Sequence, residues 1–285
     1  MITRLQDEIY GRKHGMALAM DVFKPQNPNG IGVIFLVAGG WRSSRDQIGD
    51  PRADVYEPVL RRGYTVFPVV TCSMPRFTVP EMIEDVRRAV RFIRANAGRY
   101  GISPDSIGIY GCSAGGHLAL MAGFTGGPGD GNAQDPVERE SSRVQAIGEF
   151  YGPTDFLNYG AQGQVAWEGT LAGLRAAFEF QSFDAAQNRY IPVTGRGALH
   201  AIGAQISPIN HVSETSPPTL LLHGDQDTGV PPRQSESLFE RLQEFRIPSQ
   251  LIIAPGRGHG WPDKEPEMEK MADWFDLHLL NSATS

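Results

Sequence analysis

The sequence has little cysteine, no long apolar stretch and no excess of positive charge. Its two cysteines, Cys72 and Cys112, are too few for a disulfide framework and do not suggest a thiolate metal site. No apolar run approaches the roughly 18 residues that a membrane-spanning helix requires. A net charge of -6 argues against a nucleic-acid partner. Disulfide-rich, membrane-spanning and nucleic-acid-binding classes are therefore disfavoured.

The first residues also lack a feature, the apolar segment of a secretory signal peptide. We therefore expect a cytoplasmic location for the chain as it stands, with an exported mature form whose signal has been removed as the alternative. The chain has 285 residues, of which 40% are hydrophobic, and this is enough for a sizeable core. We expect a single domain over residues 1–285.

Short apolar runs alternate with segments of helical periodicity along the chain. Runs without polar alternation are typical of strands buried on both faces, as in a parallel sheet. These runs occupy residues 32–37, 64–70, 106–110, 219–222 and 250–253. The weakly alternating residues 8–23 predict two antiparallel strands, and helical spacing recurs at residues 82–97, 238–245 and 268–279. This order predicts an α/β architecture with right-handed crossovers.

Two segments break the alternation. Residues 153–216 separate two predicted strands by far more than the usual 2–6 residues, and we predict that they form an inserted helical cap. The aromatic residues of this segment, Trp167 among them, form either the cap's own core or the wall of a substrate pocket. Residues 126–143 predict a surface loop, for which metal binding through Asp130 and Asp135 is a weak alternative.

Ser113 lies in a Gly-x-Ser-x-Gly motif at residues 111–115, directly after a predicted strand and before a predicted helix. A lone match is weak evidence, but strand, turn and helix are the context that the motif requires. A nucleophile on so tight a turn needs small neighbours two residues to either side, and Gly111 and Gly115 meet this need. The turn also places the hydroxyl at a helix N-terminus, where the dipole favours negative charge. We predict that Ser113 is a nucleophile.

A serine nucleophile needs a base, and the base needs a carboxylate that fixes its tautomer. Of the seven histidines, His259 is best placed, in a glycine-rich loop after a predicted strand. Asp225 and Asp227 compete for the carboxylate role. We favour Asp227, because it lies beyond the strand end, and expect Asp225 to shape the loop. We interpret His223 and His117 as structural residues.

An oxyanion hole needs two backbone N–H groups aimed at the developing negative charge. Ala114, the residue after the predicted nucleophile, is one candidate donor. The turn at residues 38–41, after the predicted strand 32–37, supplies the other at Gly40 or Trp41. The alternative interpretation of this segment is an ordinary turn.

Taken together and in order, these motifs resemble those of the serine esterases of the α/β-hydrolase superfamily. The resemblance is to the hormone-sensitive-lipase and feruloyl- or acetyl-carbohydrate-esterase branch, and it extends over nearly the whole chain. The matching segments are residues 38–41, 111–117, 151–155, 207–208, 223–231 and 258–260. The resemblance implies an eight-stranded, mostly parallel sheet and the hydrolysis of carboxylic esters without a metal or cofactor.

The resemblance also implies individual roles and reveals two departures. It implies Ser113 as nucleophile, His259 as base, Asp227 as the orienting carboxylate, and Gly40, Trp41 and Ala114 around the oxyanion. At position 38 the family has a histidine that braces the oxyanion loop, and here Ala38 keeps only the backbone. Residues 72–74 are Cys-Ser-Met where the lipase-like branch tends to have Tyr-Arg-Leu, which favours the carbohydrate-esterase side.

The sequence therefore predicts a cofactor-free serine esterase that acts on small acyl or aryl esters, with feruloyl or acetyl esters of carbohydrate as the favoured class. Trp41, Trp167 and Tyr151 are the candidates for the substrate pocket. A serine peptidase of the prolyl-oligopeptidase type is one alternative, although the chain has no room for a propeller. A non-catalytic binding protein with the α/β-hydrolase fold is the other, although such proteins typically lack one member of the triad.

Overall fold

The strands of the protein alternate with helices along most of the chain, in a computed structural model that describes residues 1–280. In chain order the strands are β1 (Thr3–Lys13), β2 (Met16–Lys24), β3 (Gly32–Val37), β4 (Thr65–Val70), β5 (Ile107–Cys112), β6 (Ala146–Phe150), β7 (Gln181–Asp184), β8 (Arg189–Pro192), β9 (Thr219–Gly224) and β10 (Ser249–Ala254). Eight of them form one sheet in the order β1-β2-β4-β3-β5-β6-β9-β10. β7 and β8 form a separate hairpin.

The sheet is antiparallel only at one edge. β1 pairs with β2 and β2 with β4 in antiparallel register, whereas the neighbours from β4 to β10 are parallel. The central strands β3, β5 and β9 are almost fully buried, as continuous apolar runs covered on both faces require. The predicted α/β-hydrolase architecture, with an eight-stranded and mostly parallel sheet, is confirmed.

One strand of the sheet, β6, has no counterpart among the predicted apolar runs. Its centre holds Gly148 and Glu149, which interrupt the apolar pattern. Gly148 lets Met271 pack closely on the strand, because a Cβ there would lie 1.9 Å from the sulfur of Met271. Glu149 is fully buried and hydrogen-bonded. Both residues make contacts with elements outside the strand, and the local sequence does not reveal such contacts.

Helices cover both faces of the sheet. They are α1 (Glu57–Arg61), α2 (Val79–Ala95), α3 (Ala97–Tyr100), α4 (Ala114–Phe124), α5 (Arg196–Gln205), α6 (Arg233–Glu244) and α7 (Glu265–Phe275). Side chains of α1 and α7 pack with one apolar cluster, and those of α2, α4 and α6 pack with the other. Within residues 1–280, no helix has both the length and the apolar character needed to cross a membrane.

The insertion at residues 153–216 is less regular than the sequence predicts. It contains 3-10 turns at Ala166–Glu168, Ala172–Phe178 and Pro208–His211, the helix α5 and the hairpin β7–β8. The predicted inserted helical cap thus also contains a hairpin, because the sequence pattern did not reveal the short strands on either side of the turn 185–188. The expected single domain over residues 1–285 includes residues 281–285, which lie outside the described residues.

Candidate active site

Ser113 occupies the sharp turn between β5 and α4. Its backbone has φ of 54° and ψ of -121°, a conformation that is strained for a residue with a side chain. A Cβ at Gly111 would lie 2.4 Å from the carbonyl carbon of Gly115, and a Cβ at Gly115 would lie 2.6 Å from the oxygen of Leu36. The turn closes only because both positions are glycine. The Ser113 N–H donates to the oxygen of Phe150 on β6, which ties the turn to the sheet.

Three predicted side chains meet at the carboxyl ends of the parallel strands. Ser113 follows β5, Asp227 lies in the loop after β9, and His259 lies in the loop after β10. The Ser113 Oγ is 2.9 Å from His259 Nε2, and His259 Nδ1 is 2.7 Å from Asp227 Oδ2. This is the geometry in which an imidazole can take a proton from a serine hydroxyl while a carboxylate fixes its tautomer.

Asp227 is held as an anion behind the histidine. Its Oδ1 accepts hydrogen bonds from the N–H groups of Gly229 and Val230, both at 2.8 Å. Its Oδ2 lies 3.3 Å from His223 Nε2 in addition to its contact with His259. Burial alone would raise the pKa of Asp227, but the hydrogen bonds from His223, His259 and Val230 hold it well below the ordinary value for aspartate.

Asp225, the competing carboxylate, makes a different contact. Its Oδ1 accepts a hydrogen bond of 2.7 Å from the N–H of Gly256, in the loop that leads to His259. The neighbouring Gln226 N–H donates to the oxygen of Arg257 at 2.9 Å in the same loop. The Asp225 side chain therefore binds the backbone of the loop that carries His259. Of the two aspartates, only Asp227 contacts the imidazole.

The segment after β3 forms a tight turn whose two central residues have positive φ. The Arg42 N–H donates to the oxygen of Gly39 at 3.1 Å, and Gly40 and Trp41 have φ of 59° and 55°. This is the pattern of a type I′ turn. Among the described residues, no acceptor binds the backbone N–H groups of Gly40, Trp41 or Ala114. The free N–H groups of this turn and of the helix start are of the kind that can receive an oxyanion.

The Trp41 side chain braces this turn, at a site where Ala38 offers no polar group. Trp41 Nε1 donates to His117 Nδ1 at 3.3 Å, and the other imidazole nitrogen of His117 lies 2.8 Å from the oxygen of Ile206 in the cap. A carbonyl only accepts, so the His117 Nε2 carries the proton and the ring is neutral. Burial also favours the neutral ring, because it lowers the pKa of His117 to about 4.

The three residues predicted for the substrate pocket are all buried. Trp41 and Trp167 are 1% and 9% exposed, and both pack against Phe178 of the cap. Tyr151 is 3% exposed, and its ring centroid is 4.8 Å from that of His259. The two indoles pack in the apolar cluster under the cap, and a part in the substrate pocket stays a prediction for all three residues. Tyr151 lies against the imidazole itself.

Two polar residues near the site, Glu149 and Ser235, were not assigned a role from the sequence. Together with His223, which was interpreted as structural, they form a buried chain that ends at Asp227. A glutamate inside the otherwise apolar segment at residues 146–151 is the one local signal that could have indicated Glu149. The contacts of Asp135 do not support the weak alternative of metal binding, because its carboxylate pairs with Arg88 and accepts a hydrogen bond from the Val137 N–H.

Comparison with known proteins identifies the family and the fold of this chain. A family model described as BD-FAE matches residues 20–242. Probable carboxylic ester hydrolase LipM from Mycobacterium tuberculosis is 30% identical over 241 residues, which are 84% of this chain and 51% of that protein. The chain spans about half the length of the curated relatives it matches.

Two solved structures have the same fold. A truncated carbohydrate esterase from gut microbiota has a TM-score of 0.76 at 23% identity, covering 96% of this chain and 95% of that one. An acetyl ester-xyloside bifunctional hydrolase from Caldicellulosiruptor lactoaceticus has a TM-score of 0.73 at 22% identity, covering 95% and 93%. At these identities the likeness is one of fold, and the site must be argued from its own geometry.

Proposed function

The chain belongs to the BD-FAE family of α/β-hydrolase esterases, and on that premise we propose that it hydrolyses carboxylic esters through an acyl-serine intermediate. One observation carries the proposal, the unbroken series of contacts from Ser113 Oγ through His259 to Asp227 at 2.9 and 2.7 Å. Each distance lies within hydrogen-bond range, so a proton can pass from the hydroxyl to the imidazole without rearrangement of the side chains.

The proposed reaction has two halves. His259 Nε2 accepts the Ser113 proton as Oγ attacks the ester carbonyl carbon, and the resulting alkoxide is stabilised by backbone N–H groups of Gly40, Trp41 and Ala114. The C–O bond to the alcohol then breaks, the imidazole returns its proton to the departing oxygen, and an acyl-serine remains. Water gives a proton to His259 and attacks this second ester, which releases the acid and restores the serine.

We propose small acyl or aryl esters as the preferred substrates, with acetyl or feruloyl esters of carbohydrate as the class. A cap residue, Leu174, lies against the turn that would hold the oxyanion, since its Cδ2 would lie 3.3 Å from a Cβ at Gly40. A side chain so close to this turn would limit the room for a long acyl chain. The two structural neighbours, a carbohydrate esterase and an acetyl ester-xyloside bifunctional hydrolase, support the same class.

The test is hydrolysis of p-nitrophenyl acetate, butyrate and octanoate, followed by acetylated xylan and methyl ferulate, by the parent and by Ser113→Ala. We expect turnover by the parent with acetate preferred, and a loss of about 10³-fold or more in kcat in the variant. Equal rates near background in both proteins would refute the esterase proposal.

An N-acetyl-alanine p-nitroanilide assay distinguishes the peptidase alternative. Faster hydrolysis of this amide than of the acetate ester would favour a peptidase. Absence of any turnover that depends on Ser113, together with binding of an intact ester, would instead favour the non-catalytic binding protein. Both alternatives are thus decided by the same pair of proteins.

A further inference from the structure

A carboxyl group is buried in the centre of the sheet, one layer behind the candidate active site. Glu149 of β6 is fully buried, and its Oε2 accepts a hydrogen bond of 2.6 Å from the Gly152 N–H. Its Oε1 lies 3.1 Å from the Ser235 Oγ on α6. An unpaired carboxylate in such surroundings would be strongly destabilising, so the stability of Glu149 depends on these two contacts and on whether the carboxyl group is protonated.

The first contact of Glu149 leads toward the ring that lies beside His259. Gly152 directly follows Tyr151, whose φ of 42° is unusual for so bulky a residue. The Tyr151 ring packs edge-to-face on the His259 ring at a centroid distance of 4.8 Å. The hydrogen bond from Gly152 to Glu149 therefore fixes the turn that presents this ring to the imidazole.

The second contact leads toward the carboxylate behind the imidazole. Ser235 Oγ lies 2.7 Å from His223 Nδ1, and His223 Nε2 lies 2.8 Å from the Val230 oxygen and 3.3 Å from Asp227 Oδ2. Glu149 is thus connected to the two groups that contact His259 on different sides, Tyr151 through Gly152 and Asp227 through Ser235 and His223.

The number of protons on this chain follows from its acceptors. The Val230 carbonyl only accepts, so His223 Nε2 carries a proton. A serine hydroxyl has one proton and cannot donate to both His223 and Glu149. Two arrangements remain: a protonated Glu149 donates to Ser235, which donates to neutral His223, or charged His223 donates to Ser235, which donates to ionised Glu149. In both, His223 and Glu149 together have no net charge.

On the premise of the proposed esterase function, we propose that Glu149 is a positioning residue: it shares one proton with His223 through Ser235 and holds Asp227 and Tyr151 against His259 without adding net charge. Burial raises the pKa of Glu149 to about 7, so this carboxyl group holds a proton far more readily than an exposed glutamate does. The other titratable groups that face Glu149 are Cys112 on β5 and Tyr151. Burial raises the pKa of the Cys112 thiol to about 11 and that of the Tyr151 phenol further still, so neither adds charge near neutral pH.

The test compares Glu149→Gln with Glu149→Ala. The glutamine keeps an oxygen for the Gly152 N–H and an amide donor for Ser235, so we expect kcat within about 3-fold of the parent. Alanine leaves a buried N–H and a hydroxyl without their partner, and we expect kcat to fall by about 10–100-fold with KM changed by less than about 3-fold. Ser235→Ala breaks only the Asp227 branch and is expected to fall between the two. Glu267→Ala, which removes another buried glutamate on α7, is the matched control and is expected to keep the parent kcat.

Two further readouts separate positioning from simple loss of structure. Rates are expressed per active site titrated with a fluorophosphonate, so that misfolded protein does not count. The acid limb of the kcat/KM profile reports the base in the free enzyme, and we expect it to coincide for parent and Glu149→Gln and to move in Glu149→Ala. Rescue by glutamine together with a displaced acid limb in alanine would support the proposal.

Three results would overturn it. An alanine variant with the parent kcat per titrated site and only a lower melting temperature would show a purely structural residue. A glutamine variant as impaired as alanine would show that hydrogen-bonding groups at this position do not suffice to hold Asp227 and Tyr151, which is the basis of the positioning role. If the parent neither hydrolyses esters nor reacts with the fluorophosphonate, the esterase proposal itself fails, and an NMR titration of the His259 imidazole provides the same comparison without substrate. An identical titration in all variants would then refute the positioning role.

Discussion

The carboxyl edge of the sheet and the cap differ in the interactions that hold their residues in place. Ser113, Asp227 and His259 stand in loops directly after parallel strands, and backbone hydrogen bonds tie those loops to each other and to the sheet. The cap at residues 153–216 has short 3-10 turns, one hairpin and one helix, and its order comes from aromatic side chains packed on the domain. Strand register therefore fixes the chemical groups, while side-chain packing shapes the space above them.

The two regions meet at the turn after β3. The cap contributes the Ile206 oxygen that binds His117, which in turn accepts from Trp41, and it contributes Leu174 against Gly40. A turn that lacks a polar side chain at Ala38 is thus braced from the cap side. The cap is part of the proposed oxyanion site as well as its cover.

The largest expected effect belongs to the sheet edge. Asp227→Asn presents an amide where His259 Nδ1 needs an acceptor, which favours the wrong imidazole tautomer, and we expect kcat on p-nitrophenyl acetate to fall by about 10³–10⁴-fold. Asp225→Asn makes the same substitution two residues earlier, where the contact is with the Gly256 N–H alone. We expect less than a tenfold loss there. Equal losses in the two variants would break the assignment of Asp227 to the imidazole.

A pair of glycine substitutions compares how the two regions tolerate added volume. A Cβ at Gly115 would lie 2.6 Å from the Leu36 oxygen, whereas a Cβ at Gly173 in the cap meets no atom within 4 Å. We expect Gly115→Ala to lower the free energy of unfolding by about 1–3 kcal/mol and to reduce kcat by at least tenfold. Gly173→Ala should leave both near the parent values. Urea denaturation with parallel kinetics measures both, and a well-folded, fully active Gly115→Ala would contradict the geometry of the turn.

The smallest effect is expected from the cap, and it concerns specificity. Leu174→Ala removes the side chain that lies against the turn at Gly40, so we expect the ratio of kcat/KM for octanoate over acetate to rise by about tenfold. The rate on acetate should change little. Leu199→Ala on α5 removes the same side chain elsewhere in the cap and should leave the ratio unchanged. A comparable rise in both variants would mean that the cap has loosened as a whole.

The fold was largely predictable because its strands are buried on both faces. The run 32–37 coincides with β3, and the runs near β5, β9 and β10 differ from the strands by two residues at most. β6 was not predicted from its own residues, because Gly148 and Glu149 interrupt the apolar pattern. Gly148 packs against Met271 on α7, and Glu149 lies within hydrogen-bond distance of Ser235 on α6. The hairpin in the cap was also missed, since four-residue strands with exposed side chains lack a strong period.

The candidate site was predictable where residue type and strand order suffice. Ser113, Asp227 and His259 each follow a strand of a parallel sheet, and such strands bring their carboxyl ends to one edge. The roles of the surrounding residues could not be read in the same way. Trp41 and Tyr151 are predicted to line the substrate pocket, and only the structure shows that Trp41 also packs against His117 and Tyr151 against His259.

By itself the sequence determined the order of the strands along the chain, the glycines that let Ser113 stand on a strained turn, and the identity of the three side chains that meet there. These follow from local pattern, because burial on both faces and a tight turn restrict residue type at each position. Only the tertiary structure decided what lies behind and around them: the chain from Glu149 to Asp227, the brace from Trp41 to Ile206, and Leu174 against Gly40. Those contacts join residues that are far apart in the sequence, and their energies depend on burial and on hydrogen-bond partners that exist only once the chain has folded.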